Sequence, residues 1–177
     1  MAKIKLVVFD MDGTLLHPRS CWAYIHEHFG TDNTEMLKLY IERKISDKEF
    51  VKADFKLWQS STEETVNEKY INSVLDEIKP IEGAKELIDA LHKMGIITII
   101  ISGGIQYLAD KWAKKWNMEK ALANEIIDDE NGSLKAIVHV RGNTKGPVME
   151  SLLSEMNLDQ NEVISVGDTV VDLPLFE

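Results

Sequence analysis

Short apolar runs alternate with amphipathic stretches along most of this chain. An apolar run without polar alternation is typical of a strand that a parallel sheet buries on both faces. Such runs predict strands at residues 4–9, 96–101 and 163–166, and a further strand is predicted at 121–127. Between them, apolar residues recur at helical spacing, which predicts helices at 83–94, at 105–116 and from Lys145 or Gly146 to Met156. Strands that alternate with helices indicate a core built on a parallel sheet.

The region between the first strand and Pro80 shows only helical patterns. Ser46 and Glu49 have the spacing of a capping box at the start of a helix. Ser61 or Thr62 is expected to begin a later helix in the same region. Because a crossover between parallel strands needs only about a dozen residues or more, this stretch of about sixty residues is better explained as an insertion.

The predicted fold is therefore of the α/β class, with a Rossmann-like parallel sheet core and an inserted α-helical cap. We predict that residues 1–18 and 79–177 form the core and that residues 19–78 form the cap. Within the core, residues 134–140 alternate between apolar and polar side chains after a turn at 128–132. This pattern predicts a hairpin with the strand that precedes the turn.

Composition narrows the classes of partner. The 177 residues carry a net charge of −10, which leaves no basic surface to neutralise nucleic-acid phosphates. No apolar run approaches the ~20 residues that span a bilayer, so no membrane partner is expected. Cys21 is the only cysteine, which excludes an internal disulfide and favours a cytoplasmic location. We expect a small-molecule partner, and the sequence leaves a homodimer open.

Polar residues stand where the predicted strands end. They are Asp10 and Asp12 after the first strand, Ser102 after the second and Asp168 after the last, with Lys145 at a helix start. Each alone has a structural explanation, since Asp often caps helices, Ser often occupies turns and Lys is usually solvated. Together they indicate a site, because ligands collect at the carboxyl edge of an open parallel sheet.

The residue types in this set favour phosphate chemistry. Asp10, Asp168 and Asp172 would bring like charges into one crevice, which calls for a cation. Carboxylates without a cluster of His or Cys suit Mg²⁺. Donors for an anion are also present: Ser102, Lys145 and the backbone N–H groups of Gly103 and Gly104. A cation, an anion clamp and a free carboxylate together indicate phosphoryl transfer through an aspartyl-phosphate.

In these motifs the chain resembles the haloacid dehalogenase superfamily, particularly its phosphoserine-phosphatase-like branch with a helical cap. The matching elements, in the family's order, are Asp10-Met11-Asp12-Gly13-Thr14, Ile101-Ser102-Gly103-Gly104, Lys145 and Gly167-Asp168-Thr169-Val170-Val171-Asp172. The resemblance implies a Mg²⁺-dependent phosphatase that acts on a small phosphorylated metabolite.

The resemblance also implies roles for these residues. Asp10 would be the nucleophile and Asp12 the general acid and base. Mg²⁺ would be held by Asp10, by the backbone carbonyl of Asp12 and by Asp168, with Asp172 orienting waters or Lys145. The phosphoryl oxygens would be held by Ser102, the Gly103 N–H and Lys145.

The chain departs from the family pattern in three places. Arg19 stands where phosphoserine phosphatases have a Glu, and Asp54 stands where they have an Arg in the cap. This reversal argues against phosphoserine as the substrate, and we expect Arg19 to face the substrate as a cation. Val171 stands where the family commonly has an Asn. Relatives usually continue beyond the position of Glu177 into a further strand, so we expect a fragment with one open sheet edge.

Two other activities use the same groups. A phosphotransferase or phosphomutase would pass the phosphoryl group from Asp10 to a sugar instead of to water. A phospho-accepting signalling domain, which belongs to a different functional class, also groups acids, a hydroxyl and a Lys at sheet ends. Such a domain needs neither a helical lid nor a second carboxylate placed as an acid.

Overall fold

A five-stranded sheet forms the centre of the computed structural model, which describes residues 3–141 and 144–176. Its strands are β1 (Leu6–Phe9), β2 (Ile97–Ile105), β3 (Lys120–Asp128), β4 (Leu134–Ile137) and β5 (Val163–Val166). Their order across the sheet is β4-β3-β2-β1-β5. All neighbours are parallel except β3 and β4, which form the antiparallel hairpin. The predicted α/β architecture is confirmed.

Seven α-helices of the described residues accompany the sheet. They are α1 (Cys21–Phe29), α2 (Thr34–Ile41), α3 (Asp47–Ser60), α4 (Glu68–Leu75), α5 (Ala84–Lys93), α6 (Gln106–Lys115) and α7 (Lys145–Met156). Helices α5, α6 and α7 connect the strands, and their predicted positions are correct to within a residue or two. Short 3₁₀ helices lie at Gln160–Glu162 and Val170–Leu175. No helix of the described residues is both long and apolar enough to cross a membrane.

Strand β1 is buried on both faces, as its uninterrupted apolar sequence predicts. Alternate side chains point to opposite sides of the sheet, and the core is divided accordingly. Val7 and Phe9 belong to a cluster that includes residues of α1 and α6, whereas Leu6 and Val8 pack with residues of α7. The sheet is therefore covered on both faces, and its strand ends remain as the place for a site.

Helices α1–α4 occupy the stretch predicted to be inserted, and we call them the four-helix segment. Ser46 caps α3 with both hydrogen bonds of the predicted capping box. The predicted helix start at Ser61 or Thr62 is wrong. Ser61 ends α3, and its hydroxyl donates to the Trp58 carbonyl at 2.7 Å. Asn67 caps α4 instead, because its side chain accepts the Tyr70 N–H at 2.9 Å. The division into a core and a cap at residues 19–78 stays a prediction.

Two strands differ most in length from their predictions. β2 continues through Ser102, Gly103 and Gly104 to Ile105, with a shift in its pairing to β3 after Ile101. β4 ends at Ile137 instead of Val140. The physical reason is an amide side chain: the N–H groups of His139 and Val140 donate to Asn124 Oδ1 at 2.8 and 2.9 Å. These two N–H groups therefore bind a side chain of β3 and not its backbone, so β4 does not extend to them.

β5 lies at one edge of the sheet in the described part of the chain. Ile164, in the middle of this strand, is 47% exposed. Among the described residues, β5 therefore pairs with a strand on one side only. Beyond it, residues 170–175 form a 3₁₀ helix that contains Pro174. Proline has no N–H to give and disfavours continuation of an α-helix.

Candidate active site at the carboxyl ends of the strands

The structure brings the predicted acidic residues to one edge of the sheet. Asp10 directly follows β1, and Asp168 follows β5, the strand beside it. Asp172 lies in the 3₁₀ helix that comes after β5. One carboxylate oxygen from each of Asp10, Asp168 and Asp172 lies within 4.8 Å of the other two. These acids share one crevice, as their places at the strand ends predict.

Lys145, the first residue of α7, lies between two of these acids. Its side chain is only 2% exposed, and Nζ is 2.8 Å from Asp10 Oδ1. The same Nζ also pairs with Asp172 Oδ1. A buried ammonium group needs such partners, because losing its hydration costs several kcal/mol in order of magnitude. Lys145 is therefore fixed in the site by two negative charges.

Asp172 is fully buried and bound by both of its carboxylate oxygens. Oδ2 accepts hydrogen bonds from the backbone N–H and the hydroxyl of Thr169 at 3.0 and 2.9 Å. Burial raises the pKa of this carboxyl, but hydrogen bonds from Lys145 and Thr169 outweigh it and hold the pKa below its ordinary value. Asp172 thus stays charged and fixes Lys145 in place.

Asp10 is held by its own backbone, since its N–H donates to the Val166 carbonyl at 2.8 Å. Burial raises the pKa of its carboxyl above the ordinary value, and the charge of Lys145 opposes that rise. A bound cation would favour the ionised form further, because an opposite charge lowers a carboxyl pKa. The crevice thus has the character of a cation site.

Asp12 is bound on one side and open on the other. Its Oδ2 accepts the N–H of Cys21, the first residue of α1, at 2.8 Å. Its Oδ1 is buried and has no hydrogen-bond partner in the described residues. Burial raises the pKa of Asp12 to about 6, against the lowering effect of the Cys21 N–H. A carboxyl with a raised pKa and a free oxygen is suited to giving and taking protons.

Two glycines allow these acids to come so close to the backbone. Gly13 has a φ of +75°, and a Cβ there would lie 2.5 Å from Asp168 Oδ2. At Gly104, a Cβ would lie 2.6 Å from Met11 Cε and 3.1 Å from Asp12 Oδ2. A side chain at either position would push an acidic residue from its place.

Ser102 and its neighbours form the part of the site expected to hold an anion. Ser102 is buried, and its Oγ accepts the Gly104 N–H at 3.1 Å. The prediction that the Gly104 N–H is free for an anion is therefore wrong. The Gly103 carbonyl accepts the Trp22 indole N–H at 3.2 Å and the Asn124 amide at 2.9 Å. Ser102 Oγ retains its own hydrogen, which can be donated to a phosphoryl oxygen.

The cluster of three carboxylates fits a magnesium ion. All its donors are carboxylate oxygens, which are hard ligands of the kind Mg²⁺ prefers together with water. The Asp12 carboxylate does not belong to this cluster, so any contribution of Asp12 to a metal stays a prediction for its backbone carbonyl. Because Asp172 is bound by Lys145 and Thr169, Asp10 and Asp168 are the members best placed to be ligands.

The two positions that depart in charge from the family have different surroundings. Arg19 is exposed, two residues before Cys21, and makes no ion pair in the described part of the chain. Its role toward a substrate stays a prediction. Asp54 is fully buried within the four-helix segment, 3.1 Å from His26 Nε2 and 3.0 Å from Asn33 Nδ2. The expectation that Asp54 stands at a substrate-binding position is therefore wrong, because its carboxylate faces the interior of that segment.

Two residues near the site were missed from the sequence. Asn124, in β3, joins the Gly103 carbonyl of β2 to the chain after β4 through four hydrogen bonds. Its signal was a polar amide within a largely apolar strand. Arg141, four residues before Lys145, forms an ion pair with Asp47 in which Nη2 and Oδ2 are 2.9 Å apart. No sequence signal indicated this pair, whose members are far apart in the chain.

Comparison with known proteins gives a consistent result. A family model described as haloacid dehalogenase-like hydrolase matches residues 4–177. Among curated proteins, the phosphoserine phosphatase of Archaeoglobus fulgidus is 27% identical over 177 residues, which cover 98% of this chain and 50% of that protein. The phosphoserine phosphatase of Methanocaldococcus jannaschii is 25% identical over 179 residues, covering 99% of this chain and 82% of that protein. The chain thus spans between half and four-fifths of these two relatives.

Solved structures show the same fold. A structure described as a phospho-aspartyl intermediate analogue of phosphoserine phosphatase superposes with a TM-score of 0.77 at 24% identity, covering 98% of this chain and 82% of that one. A HAD family hydrolase from Salmonella enterica superposes with a TM-score of 0.80 at 18% identity, covering 99% of this chain and 60% of that one. These likenesses support the architecture described above.

Proposed function

Because the chain belongs to the haloacid dehalogenase-like hydrolases, we propose that it is a Mg²⁺-dependent phosphatase that hydrolyses a small phosphomonoester through an aspartyl-phosphate on Asp10. The observation that carries this proposal is the crevice of Asp10, Asp168 and Asp172 with Lys145 buried inside it. Acids alone would repel a phosphate. A buried ammonium beside a carboxylate cluster that can take a cation gives the phosphoryl group two positive partners.

Asp10 acts as the nucleophile in this proposal. One of its carboxylate oxygens forms a bond to phosphorus while the bond from phosphorus to the leaving oxygen breaks. Lys145 lies 2.8 Å from Asp10 Oδ1 and can pair with the phosphoryl oxygens as they approach. Ser102 donates its hydroxyl hydrogen to the same group. The fixed backbone of Asp10 keeps the attacking carboxylate at the strand end.

Asp12 moves the protons. In the first step its carboxyl gives a proton to the leaving oxygen, so that an alcohol departs instead of an alkoxide. In the second step the ionised Asp12 takes a proton from a water molecule whose oxygen attacks phosphorus. The bond between phosphorus and the Asp10 oxygen then breaks, which releases inorganic phosphate and restores Asp10. The atom available for this work is Oδ1 of Asp12, which has no hydrogen-bond partner in the part of the chain that the structure describes.

Asp10 and Asp168 would hold the metal, with Asp172 acting through Lys145. When bound, Mg²⁺ supplies positive charge that lets an anionic nucleophile meet an anionic phosphate. Thr14 supports this assignment, because its hydroxyl donates to Asp168 Oδ1 at 3.2 Å and fixes the carboxylate. Asp168 is exposed, so it can take a cation from solution.

Hydrolysis of p-nitrophenyl phosphate tests the proposal. The wild-type chain is expected to turn over many equivalents with Mg²⁺ and none with EDTA. Asp10→Asn is expected to abolish turnover, and Asp168→Asn is expected to raise the Mg²⁺ concentration needed for half-maximal rate. Asp89→Asn is the matched control, since Asp89 is a solvent-exposed partner of Lys85 on α5. Circular dichroism establishes that each variant is folded. An active Asp10→Asn protein would overturn the proposal.

Two product measurements separate the alternatives. A stoichiometric, long-lived phospho-aspartate with little turnover would identify a phospho-accepting signalling domain. Transfer of the phosphoryl group to added acceptor alcohols in preference to water would identify a phosphotransferase or phosphomutase. Release of one inorganic phosphate per ester, unchanged by acceptors, is the result expected of a phosphatase.

A further inference from the structure

A cavity of about 180 Å³ lies between the four-helix segment and the sheet, beside Gly103. Gly103 follows Ser102, so this cavity adjoins the part of the site that is expected to hold the phosphoryl group. Its helical wall is aromatic, with Trp22 from α1, Tyr40 from α2 and Phe50 from α3. The rings of Tyr40 and Phe50 are stacked with centroids 4.8 Å apart. The position and the lining are those of a subsite for the organic part of a substrate.

Arg141 provides the positive charge of this cavity. Its Nη2 is 2.9 Å from Asp47 Oδ2, and the other carboxylate oxygen of Asp47 accepts the Tyr40 hydroxyl at 2.6 Å. The backbone of Arg141 is fixed as well, because its N–H donates to the Thr144 hydroxyl at 2.8 Å. The guanidinium is therefore held by Asp47 at the wall of the cavity, where the Arg141 side chain is 45% and the Asp47 side chain 24% exposed.

The polar groups that line the cavity differ in how many hydrogen bonds they already make. Both oxygens of Asp47 already accept a hydrogen bond, and the amide of Asn124 is bound to backbone groups on both sides. The Trp22 indole N–H donates to the Gly103 carbonyl. Arg141, by contrast, has five N–H donors and uses its Nη2 on Asp47. Among the side chains of the described lining residues, Arg141 thus keeps the largest number of unused donors, and they belong to a cation.

We propose that this cavity receives the organic part of the substrate and that Arg141 determines specificity, so that the substrate is a phosphomonoester of a compact apolar or aromatic group carrying an anionic acceptor such as a carboxylate. This inference rests on the proposed phosphatase function. The proposal predicts no preference for an amino-acid phosphate. The ammonium group of an amino acid would lie beside the Arg141 guanidinium, and Asp47 already pairs with that guanidinium. The cavity volume of about 180 Å³ is sufficient for an aromatic ring, because a cavity of roughly 150 Å³ with apolar walls holds benzene.

Three aryl phosphates that differ only at the para position test the proposal. They are 4-carboxyphenyl phosphate, phenyl phosphate and 4-(aminomethyl)phenyl phosphate, which place an anion, a hydrogen or a cation at the same point. For the wild-type chain with Mg²⁺, kcat/KM is expected to be about tenfold or more higher for the carboxy ester than for the aminomethyl ester. The difference is expected mainly in KM, because Arg141 contacts the organic group and not the reacting phosphorus.

Variants of the ion pair move this preference in opposite directions. Arg141→Gln removes the cation and frees Asp47, so the preference should reverse toward the aminomethyl ester. Asp47→Asn removes the anion and should increase the preference for the carboxy ester. Lys85→Gln is the control, since Lys85 is an exposed ion-pair partner on α5, and it should keep the wild-type ratios.

The outcomes separate the two proposals. If the wild-type chain hydrolyses p-nitrophenyl phosphate but none of the three esters, the subsite proposal is wrong; if it hydrolyses none of the four, the phosphatase function itself fails. If it hydrolyses phenyl phosphate but Arg141→Gln keeps the wild-type ratio of the charged esters, the subsite proposal is wrong and the phosphatase function stands. A wild-type preference for the aminomethyl ester also overturns the subsite proposal.

Discussion

Replacing Asp172 by Asn tests whether the buried ion pair organises the site. Asp172 binds Lys145 through Oδ1 and Thr169 through Oδ2, and the pair is 0% and 2% exposed. Asn has one acceptor oxygen and one NH₂ group. If its oxygen faces Lys145, its NH₂ faces the N–H and hydroxyl of Thr169. If it is turned around, its NH₂ faces the ammonium. Either orientation loses bonds that the structure makes.

The size of the effect follows from the surroundings. Removing one partner of a buried pair costs ~3–5 kcal/mol. Asp10 remains 2.8 Å from Lys145, so part of the positive charge of Lys145 stays compensated. We therefore expect the lower end, a loss of ~3 kcal/mol in the free energy of unfolding. For a chain of this size that corresponds to a fall of roughly 6–12 °C in Tm.

Urea unfolding followed by circular dichroism, in EDTA, measures this loss. Asp76→Asn is the matched control, because Asp76 also pairs with a lysine at 2.8 Å, namely Lys111, but the two side chains are 49% and 29% exposed. An exposed pair is worth at most ~1 kcal/mol, so the control should lose far less. If both variants lose the same free energy, Asp172 does not hold Lys145 in the way described and the reasoning fails.

Two further substitutions separate the reacting groups from their supports. Gly104→Ala would place a Cβ 2.6 Å from Met11 Cε and 3.1 Å from Asp12 Oδ2. We expect kcat for p-nitrophenyl phosphate to fall about tenfold or more, while overpacking lowers the free energy of unfolding by only ~1–3 kcal/mol. An unchanged kcat would show that Asp12 tolerates the added methyl group. Asp54→Ala should lower the free energy of unfolding, measured in urea, by ~1–3 kcal/mol, since it leaves Asn33 Nδ2 without its acceptor. It should change kcat and KM less than about twofold. A large rise in KM from Asp54→Ala would return Asp54 to the substrate site.

The sheet and its acidic edge were predictable because their signals are local. The apolar run of β1 and the polar residues after it both follow from a few neighbouring positions. The same holds for the capping box at Ser46, where two residues three apart make both bonds. In each case the physical cause lies within one turn or one strand, so a single sequence contains it.

The parts that failed depend on contacts between distant residues. Ser102-Gly103-Gly104 has the composition of a turn, but β2 continues through it and pairs with β3 again where Ile105 meets Asn124. A lone lysine is usually solvated, yet Lys145 is buried because two acids from other elements surround it. Asp54 is placed by His26 and Asn33 in the same way. Alignment with a family motif by position cannot detect such an interior partner.

The hydrogen bond from the Cys21 N–H to Asp12 has a consequence for engineering. It means that the proposed acid is oriented by the first backbone amide of the neighbouring helix. A chimera that exchanged the four helices for those of another hydrolase would also exchange the donor that orients this carboxyl. A transplanted segment must therefore present an amide at the same point, whatever its other side chains are.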